Sequence, residues 1–83
     1  MNYTVYIIYS SISNLHYIGH TNNLTERLNR HNQNRNKFTK GKGPWELVIS
    51  HCVNSKPEAY RFELKLKAFK NSKFAIDYMR SLV

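Results

Sequence analysis

The hydrophobic pattern near the start of the chain predicts a β-hairpin. Residues 3–9 read Tyr-Thr-Val-Tyr-Ile-Ile-Tyr, a run of aromatic and β-branched residues that suits a partly buried strand. Residues 15–19 read Leu-His-Tyr-Ile-Gly and form a second such run, which ends on a glycine. The residues between the two runs are mostly Ser and Asn, which is typical of a hairpin link. We therefore expect two antiparallel strands joined by a short turn.

Two tyrosines of this hairpin are candidates for a shared site. Successive side chains of a strand point to opposite faces, so Tyr6 lies on the face opposite Val5, and Tyr17 lies on the same face as Gly19. We expect the two phenol groups to lie near one another. The alternative is that both are ordinary strand aromatics whose hydroxyl groups reach water.

The first helix is predicted to begin after Asn23, whose side chain can accept a hydrogen bond from the free backbone N–H groups. Glu26 follows three residues later, as in a capping box. At 100° per residue, Arg27 and His31 fall one turn apart on the arc that also holds the packing leucines. The alternatives are a solvated charge for Arg27 and a polar residue near the helix end for His31.

The second half of the chain predicts a third strand and two helices. Residues 44–50 read Pro-Trp-Glu-Leu-Val-Ile-Ser, and proline is tolerated at the start of a strand. Ser55 with Glu58 matches a capping box, and the helix that follows is expected to reach about Lys70. A last helix is expected over residues 72–82. The apolar positions expected to pack against the sheet are Ala59, Phe62, Leu66, Phe69, Phe74, Ala75, Tyr78, Met79 and Leu82.

A polar and basic loop is predicted between the first helix and the third strand. Residues 32–43 lack a periodic pattern, and Phe38 is their one large apolar group. The segment is either a solvated linker or a basic arm that contacts phosphate groups, and the sequence favours neither. Its lysines are Lys37, Lys40 and Lys42.

These elements together predict an α/β (α+β) fold in one domain over residues 1–83. The fold would consist of a small three-stranded antiparallel sheet flanked by about three helices. A chain of this length has room for one modest core. One cysteine cannot form an internal disulfide, and with four scattered histidines it does not match the ligand spacing of a zinc site.

The charge balance indicates a polyanionic partner. The chain has 13 Lys and Arg against 5 Asp and Glu, a formal net charge of +8, and the commonest partner of such a charge is nucleic acid. An anionic membrane could attract the same charge. However, no apolar stretch approaches the roughly 20 residues of a membrane span, and the start of the chain lacks a signal-peptide pattern. We expect a cytoplasmic protein that binds no membrane, with a monomer as the favoured state.

One carboxylate stands apart from the other acidic residues. Two acids cap helices, one points outward on a strand and one lies among polar positions of the last helix; these are Glu26, Glu58, Glu46 and Asp77. Glu63 remains, at the border of the core face of its helix. It either forms a surface ion pair with Lys67, worth about 0.2 to 0.5 kcal/mol, or holds a divalent metal ion. A single carboxylate is compatible with Mg²⁺, which keeps most of its waters and takes other ligands from substrate phosphate.

The order of these residues resembles the GIY-YIG nuclease domain, in its small stand-alone form. The matching segments cover nearly the whole chain and are Thr4-Val5-Tyr6, Tyr17-Ile18-Gly19, Arg27-Leu28 with His31, Phe38-Thr39 before Pro44-Trp45, and Glu63 with Lys67. Thr4 replaces the glycine of the first motif. The resemblance implies a three-stranded antiparallel sheet flanked by helices. It also implies that Glu63 holds Mg²⁺ or Mn²⁺ in an active site formed by Tyr6, Tyr17, Arg27, His31 and Glu63.

The function implied by the resemblance is a divalent-metal-dependent endonuclease that acts on DNA, with RNA as the open alternative. Family members with defined targets usually carry an attached DNA-binding region, and we identify none in these residues. We therefore expect little sequence specificity and a possible preference for DNA structures that arise in repair or recombination. The residues expected to contact nucleic acid are Arg30, Lys37, Lys40, Lys42 and Lys67.

Two other classes of function are compatible with the sequence. One is a nucleic-acid-binding module that retains the fold without cleaving, and whose basic groups bind through counterion release. The other is a protein-interaction domain that uses the aromatic surface. A cleavage assay with and without a divalent metal separates the enzyme from both.

Overall fold

The predicted hairpin opens the structure, a computed structural model that describes residues 2–82. Strand β1 (Tyr3–Ser10) pairs antiparallel with strand β2 (Leu15–Thr21). In this register Tyr6 lies opposite Gly19. Asn14 adopts a left-handed backbone conformation with φ of 54° in the connecting turn, which asparagine tolerates better than most residues. The hairpin prediction is confirmed.

Strand β3 (Glu46–Val53) completes the sheet on the other side of β1, so the spatial order is β2-β1-β3 with every pair antiparallel. The central position of β1 explains its long apolar run, because both of its faces are covered. Its four consecutive residues from Val5 to Ile8 are fully buried. β3 begins two residues later than the sequence predicts and extends to Val53.

Each of the three helices has a capping residue, which the sequence predicts for the first two. Helix α1 (Leu24–Asn32) is capped by Asn23, helix α2 (Lys56–Ala68) by Ser55, and helix α3 (Ser72–Arg80) by Asn71, whose side-chain oxygen accepts from two backbone N–H groups. Each cap satisfies donors that a helix leaves unpaired at its first turn. α2 ends two residues before the predicted Lys70, which adopts a left-handed conformation with φ of 54°.

The helices cover the two faces of the sheet unequally. α2 and α3 pack on the face of Val5 and Ile7, where the buried core residues are Val5, Ile7, Ala59, Leu66, Ala75 and Met79. The opposite face carries a smaller cluster of Tyr6, Ile8 and Trp45, with Tyr17, Leu24 and Leu28 packed against it. The fold class is confirmed as a three-stranded antiparallel sheet with three helices.

Three residues that the sequence assigns to the packing faces are exposed instead. They are Phe69, Phe74 and Leu82. Phe69 and Leu82 lie beyond the last residues of α2 and α3, where a rotation of 100° per residue no longer applies. Phe74 lies beside the line of Ala75 and Met79, which are the buried residues of α3.

Candidate active site

The two hairpin tyrosines lie next to one another, as the alternation predicts. Their ring centroids are 6.5 Å apart. Tyr6 is fully buried, whereas Tyr17 is partly exposed on the edge strand. The expectation that both hydroxyl groups reach water is therefore wrong for Tyr6.

His31 is buried and joins α1 to the sheet and to the following loop. Its Nε2 lies 3.0 Å from the Tyr6 hydroxyl, and its Nδ1 lies 2.7 Å from the Thr39 hydroxyl. His31 and Thr39 are 0% and 1% exposed. The alternative of a solvated polar residue at the helix end is wrong, because the last turn of α1 packs directly over Tyr6. The sequence indicated no contact for Thr39, which lies in a loop without a periodic pattern.

The imidazole of His31 is neutral near pH 7. Burial, followed by the charges of Arg27 and Arg30, lowers its pKa to about 4. A neutral imidazole carries one proton, so one ring nitrogen donates and the other accepts. The hydrogen bonds thus run in one direction, either from Tyr6 through His31 to Thr39 or from Thr39 through His31 to Tyr6.

The phenol of Tyr6 is held in its neutral form. Burial raises the pKa of Tyr6 well above its usual value, and the neighbouring Tyr17 raises it further, while the charge of Arg27 acts in the opposite direction. A buried phenolate would lose its hydration without a full counter-charge. Tyr6 is therefore protonated in the free protein at neutral pH.

Gly19 leaves the space that the Tyr6 ring occupies. A Cβ atom built at this position would lie 2.6 Å from Tyr6 Oη and 2.9 Å from Tyr6 Cζ. Both distances are shorter than a carbon atom tolerates without displacing its neighbour. The glycine is therefore required by the close approach of a cross-strand side chain.

An open cleft of about 380 Å³ lies at the edge of β2 and is lined by three of the five predicted active-site residues. Tyr17, Arg27 and Glu63 come from three different elements and share this cleft. Tyr6 and His31 are fully buried and do not line it. The lining residues are Tyr3, Tyr17, Gly19, His20, Thr21, Asn22, Arg27, Lys56 and Glu63.

The carboxylate of Glu63 contacts the side chains of His20 and Lys67, one at each oxygen. Its Oε1 lies 2.7 Å from His20 Nδ1, and its Oε2 accepts from Lys67 Nζ at 2.6 Å. An ionised carboxylate can only accept, so His20 donates from Nδ1 in this contact. The side chain of Glu63 is 14% exposed, so the pair with Lys67 is not a free surface pair. His20 is absent from the sequence prediction, although alternation along β2 places it on the face that α2 covers.

The donor set of the cleft fits a hard divalent cation with few protein ligands. Among residues 2–82 there is no group of three or more His, Cys, Asp or Glu side chains arranged to hold a metal ion. Glu63 is the one carboxylate that lines the cleft. Mg²⁺ usually binds through one or two carboxylates and completes its shell with water and substrate phosphate. Glu63 is therefore the residue that would hold such an ion.

The five basic residues predicted to contact nucleic acid are not gathered at the cleft. Lys67 reaches it through its ion pair with Glu63. Lys37, Lys40 and Lys42 are exposed in the segment between α1 and β3, and Arg30 is partly buried on α1. Their role in binding stays a prediction.

The segment between α1 and β3 is fixed at several points. Ser10 donates to the Lys42 carbonyl at 2.6 Å, and the backbone N–H of Trp45 donates to Asn32 at 2.6 Å. Trp45 also donates from its ring to the Thr39 carbonyl at 3.3 Å. These contacts hold Thr39 against His31.

Comparison with known proteins identifies the family of the chain. The sequence model of the GIY-YIG catalytic domain matches residues 2–75. The chain belongs to the GIY-YIG family. It is 37% identical over 84 residues to the UPF0213 protein CPE1444 of Clostridium perfringens, covering 99% of this chain and 88% of that protein. It is 34% identical over 74 residues to the UPF0213 protein BH0048 of Halalkalibacterium halodurans, covering 88% and 78%.

The fold of this GIY-YIG protein is also similar to a solved structure. The solution NMR structure of the UPF0213 protein BH0048 from Bacillus halodurans matches with a TM-score of 0.57 and 32% identity, covering 99% of this chain and 85% of that chain. Membership in a nuclease family indicates a nucleic-acid substrate. Within residues 2–82, none of the helices combines the length and apolar character that crossing a membrane requires.

The buried imidazole of His31 should make the stability of the fold depend on pH. Folding lowers its pKa from 6.5 to about 4, so between these values the unfolded chain binds more protons than the folded one. The free energy of unfolding should therefore fall as the pH drops from about 7 to about 4, by about 3 kcal/mol. Chemical denaturation across this range measures the loss.

The variant His31→Gln removes the titrating group and tests this assignment. It should be less stable at neutral pH, because its amide cannot reproduce both hydrogen bonds, and its stability should depend less on pH. His51→Gln on β3 is the matched control and should keep the wild-type dependence. An unchanged pH dependence in His31→Gln would show that another group causes the loss.

Proposed function

We propose that this protein is a divalent-metal-dependent endonuclease that hydrolyses phosphodiester bonds of DNA, using Mg²⁺ or Mn²⁺. The observation that carries the proposal is the cleft at the edge of β2, where Tyr17, Arg27 and Glu63 converge from a strand and two helices. A proton acceptor, a guanidinium and a metal-binding carboxylate are the groups that phosphodiester hydrolysis requires.

Arg27 is the group that binds the phosphoryl oxygens. Its guanidinium presents donors in a fixed planar fork that matches two oxygens of a phosphate. Glu63 would hold the metal ion, which when bound balances negative charge on the phosphate and on the leaving oxygen. His20 and Lys67 orient the Glu63 carboxylate through their contacts of 2.7 and 2.6 Å.

Tyr17 is the phenol that takes the proton of the attacking water: it acts as the phenolate, formed when its own proton is lost to solvent, and becomes the neutral phenol in this step. A general base must reach the proton that it removes, and Tyr17 lines the cleft, whereas Tyr6 is fully buried and does not line it. Tyr6 and His31 support the Tyr17 ring, which lies 5.0 Å from the His31 ring. Tyr17→Phe should therefore lower the rate of cleavage more than Tyr6→Phe.

A cleavage assay tests the proposed function. Supercoiled plasmid, a branched duplex and a single-stranded oligonucleotide are incubated with the purified protein and Mg²⁺, Mn²⁺ or a chelator. We expect cleavage with either metal and none with the chelator. The protein should select its substrates by DNA structure, with a preference for structures that arise in repair or recombination. Cleavage should depend little on the base sequence.

A second candidate function, binding of nucleic acid without cleavage, is favoured by the contacts that Glu63 already makes. Its carboxylate is already bound by His20 and Lys67, and the net charge of +8 would suffice for non-specific binding of nucleic acid. A chain that binds DNA in a salt-dependent manner and cleaves none of the substrates with either metal would be a binding module.

Replacing Arg27 by Lys should lower the turnover number about 100-fold while changing the dissociation constant for DNA little. The charge is retained, but an ammonium cannot present two donors in the plane of the phosphate oxygens. Arg35→Lys is the matched control, because Arg35 is exposed shortly after the end of α1 and does not line the cleft. Single-turnover cleavage and equilibrium binding separate the two effects. Equal cleavage rates for the two variants would show that Arg27 is a solvated charge without a role in cleavage.

A further inference from the structure

A second groove, of about 300 Å³, runs along the same edge of β2 toward the junction of α2 and α3. Tyr17 lines both this groove and the cleft. Lys67 connects them as well, because it lines the groove and its ammonium binds Glu63 in the cleft. A strand whose scissile phosphate lies in the cleft would therefore continue along this groove.

The groove has an apolar floor and a cationic rim. Its lining includes the partly or fully buried side chains of Tyr17, Ile18 and Leu66, which we call the floor, and the exposed side chains of Lys67 and Lys70, which we call the rim. This pattern suits a nucleotide, whose base is flat and apolar on its faces and whose phosphate is anionic. Proteins that bind single strands combine the same two features, with side chains that contact the bases and cations that follow the backbone.

The size of the groove fits a single nucleotide. Its volume is at the lower end of the range for small-molecule sites, about 300 to 1,000 Å³. A base within a duplex is stacked on both faces and paired along its edge, so it cannot lie on the groove floor. The occupant must therefore present a base outside a double helix.

The basic surface continues beyond this groove. A neighbouring hollow shares His16 and Ser72 with the groove and is also lined by Lys73 and Arg80, with Asp77 as its acidic member. The cations along this edge come from both α2 and α3. None of the residues 33–45 lines the groove or this hollow.

We propose that the groove binds the nucleotide adjacent to the scissile phosphate, with its base unpaired on the floor and its phosphate at Lys70. This inference rests on the proposed function in one respect, because it takes the cleft as the place where the strand is cut. Binding in the groove itself requires neither a metal ion nor cleavage. Binding in the groove and cleavage in the cleft can therefore be disproved independently of each other.

An NMR titration in the presence of a chelator tests the proposal. The probe is a single-stranded thymidine tetranucleotide added to the ¹⁵N-labelled protein. We expect the amide resonances of Ile18, Lys70 and Ser72 to shift with a common saturation curve. The same tetranucleotide with an internal abasic site should bind about tenfold or more weakly, because the base contact is lost.

Three results of the titration would overturn the proposal. The first is a set of shifts confined to residues 33–45. The second is an equal response to a duplex of the same sequence, which would show that no unpaired base is needed. The third is the same set of groove shifts with inorganic phosphate as with the tetranucleotide, which would identify an anion site.

The variant Lys70→Asn provides the matched test by mutation. Asparagine removes the charge and accepts the left-handed conformation of this residue, whose φ is 54°. The slope of log affinity against log salt for single-stranded DNA should decrease by about 0.7. Arg35→Asn is the control, because Arg35 is exposed in the segment between α1 and β3, and it should retain the wild-type slope. A change in Arg35→Asn without one in Lys70→Asn would assign the strand to that segment instead.

The results also separate this inference from the proposed function. If the protein fails to cleave but the tetranucleotide shifts the groove resonances, the groove is supported and the nuclease is not. If the protein cleaves with Mg²⁺ and Lys70→Asn binds and cleaves single-stranded DNA like the wild type, the nuclease is supported and the groove is wrong.

Discussion

Glu63→Gln should reduce metal-dependent cleavage to background. The substitution keeps the size of the side chain and one oxygen that can accept from His20, but it removes the one carboxylate that lines the cleft. A neutral amide is a much weaker ligand for a hard divalent cation than a carboxylate. The loss should therefore appear with Mg²⁺ and with Mn²⁺, and it should persist at saturating DNA.

The fold and the affinity for DNA should survive this substitution. The ion pair with Lys67 is half exposed on the lysine side, so its loss should change the free energy of unfolding by no more than about 1 kcal/mol. The net charge rises by one unit, so DNA binding in chelator should stay the same or increase. Thermal unfolding and a binding titration in chelator measure both.

Glu58→Gln is the matched control for this experiment. Glu58 lies in the first turn of the same helix and is exposed. The control should cleave at the wild-type rate. If Glu63→Gln also cleaves at that rate, Glu63 holds no essential metal, and its contacts with His20 and Lys67 are its whole role.

Gly19→Ala should both destabilise the fold and lower cleavage at least tenfold. The added Cβ would lie 2.6 Å from Tyr6 Oη and 2.9 Å from Tyr6 Cζ. Tyr6 is fully buried and bound to His31, so its ring cannot move aside without breaking that contact. Overpacking of this kind costs about 1 to 3 kcal/mol. Displacement of Tyr6 also disturbs the support of Tyr17 at the cleft.

A double-mutant cycle with Tyr6→Phe identifies the cause of this loss. Phenylalanine removes Oη, which is the atom closest to the added methyl group, and leaves the rest of the ring in place. Gly19→Ala should therefore cost less in the Tyr6→Phe background than in the wild type, as measured by urea denaturation. If the two substitutions have additive effects, the strain at Gly19 comes from elsewhere. A fully stable and active Gly19→Ala protein would contradict the steric argument altogether.

The elements of the fold were largely predictable because their signals are local. The apolar run of β1, the caps at Asn23 and Ser55, and the rotation of 100° per residue along α1 each depend on a few neighbouring residues. These rules placed Tyr6 beside Tyr17 and set Arg27 and His31 on one arc before any contact was known. The prediction was less accurate at element ends, where these rules no longer apply.

The sequence also predicted the residues to which we assign the proposed chemistry. Elimination among five acids left Glu63, and the charge balance indicated a polyanionic partner. The order of the matching motifs pointed to the GIY-YIG domain, and the family match over residues 2–75 bears this out. Each of these inferences uses residue type and order alone.

Tertiary structure decided which of these side chains meet. His20 and Glu63 are 43 residues apart, and their contact exists because α2 packs across the edge of β2. Thr39 reaches His31 because hydrogen bonds at Trp45 close the intervening loop. A local pattern fixes the face on which a side chain lies, but not the element that covers that face or the path of an irregular loop. For this reason the burial of His31, the partners of Glu63 and the groove beside Lys70 could be seen only in the folded chain.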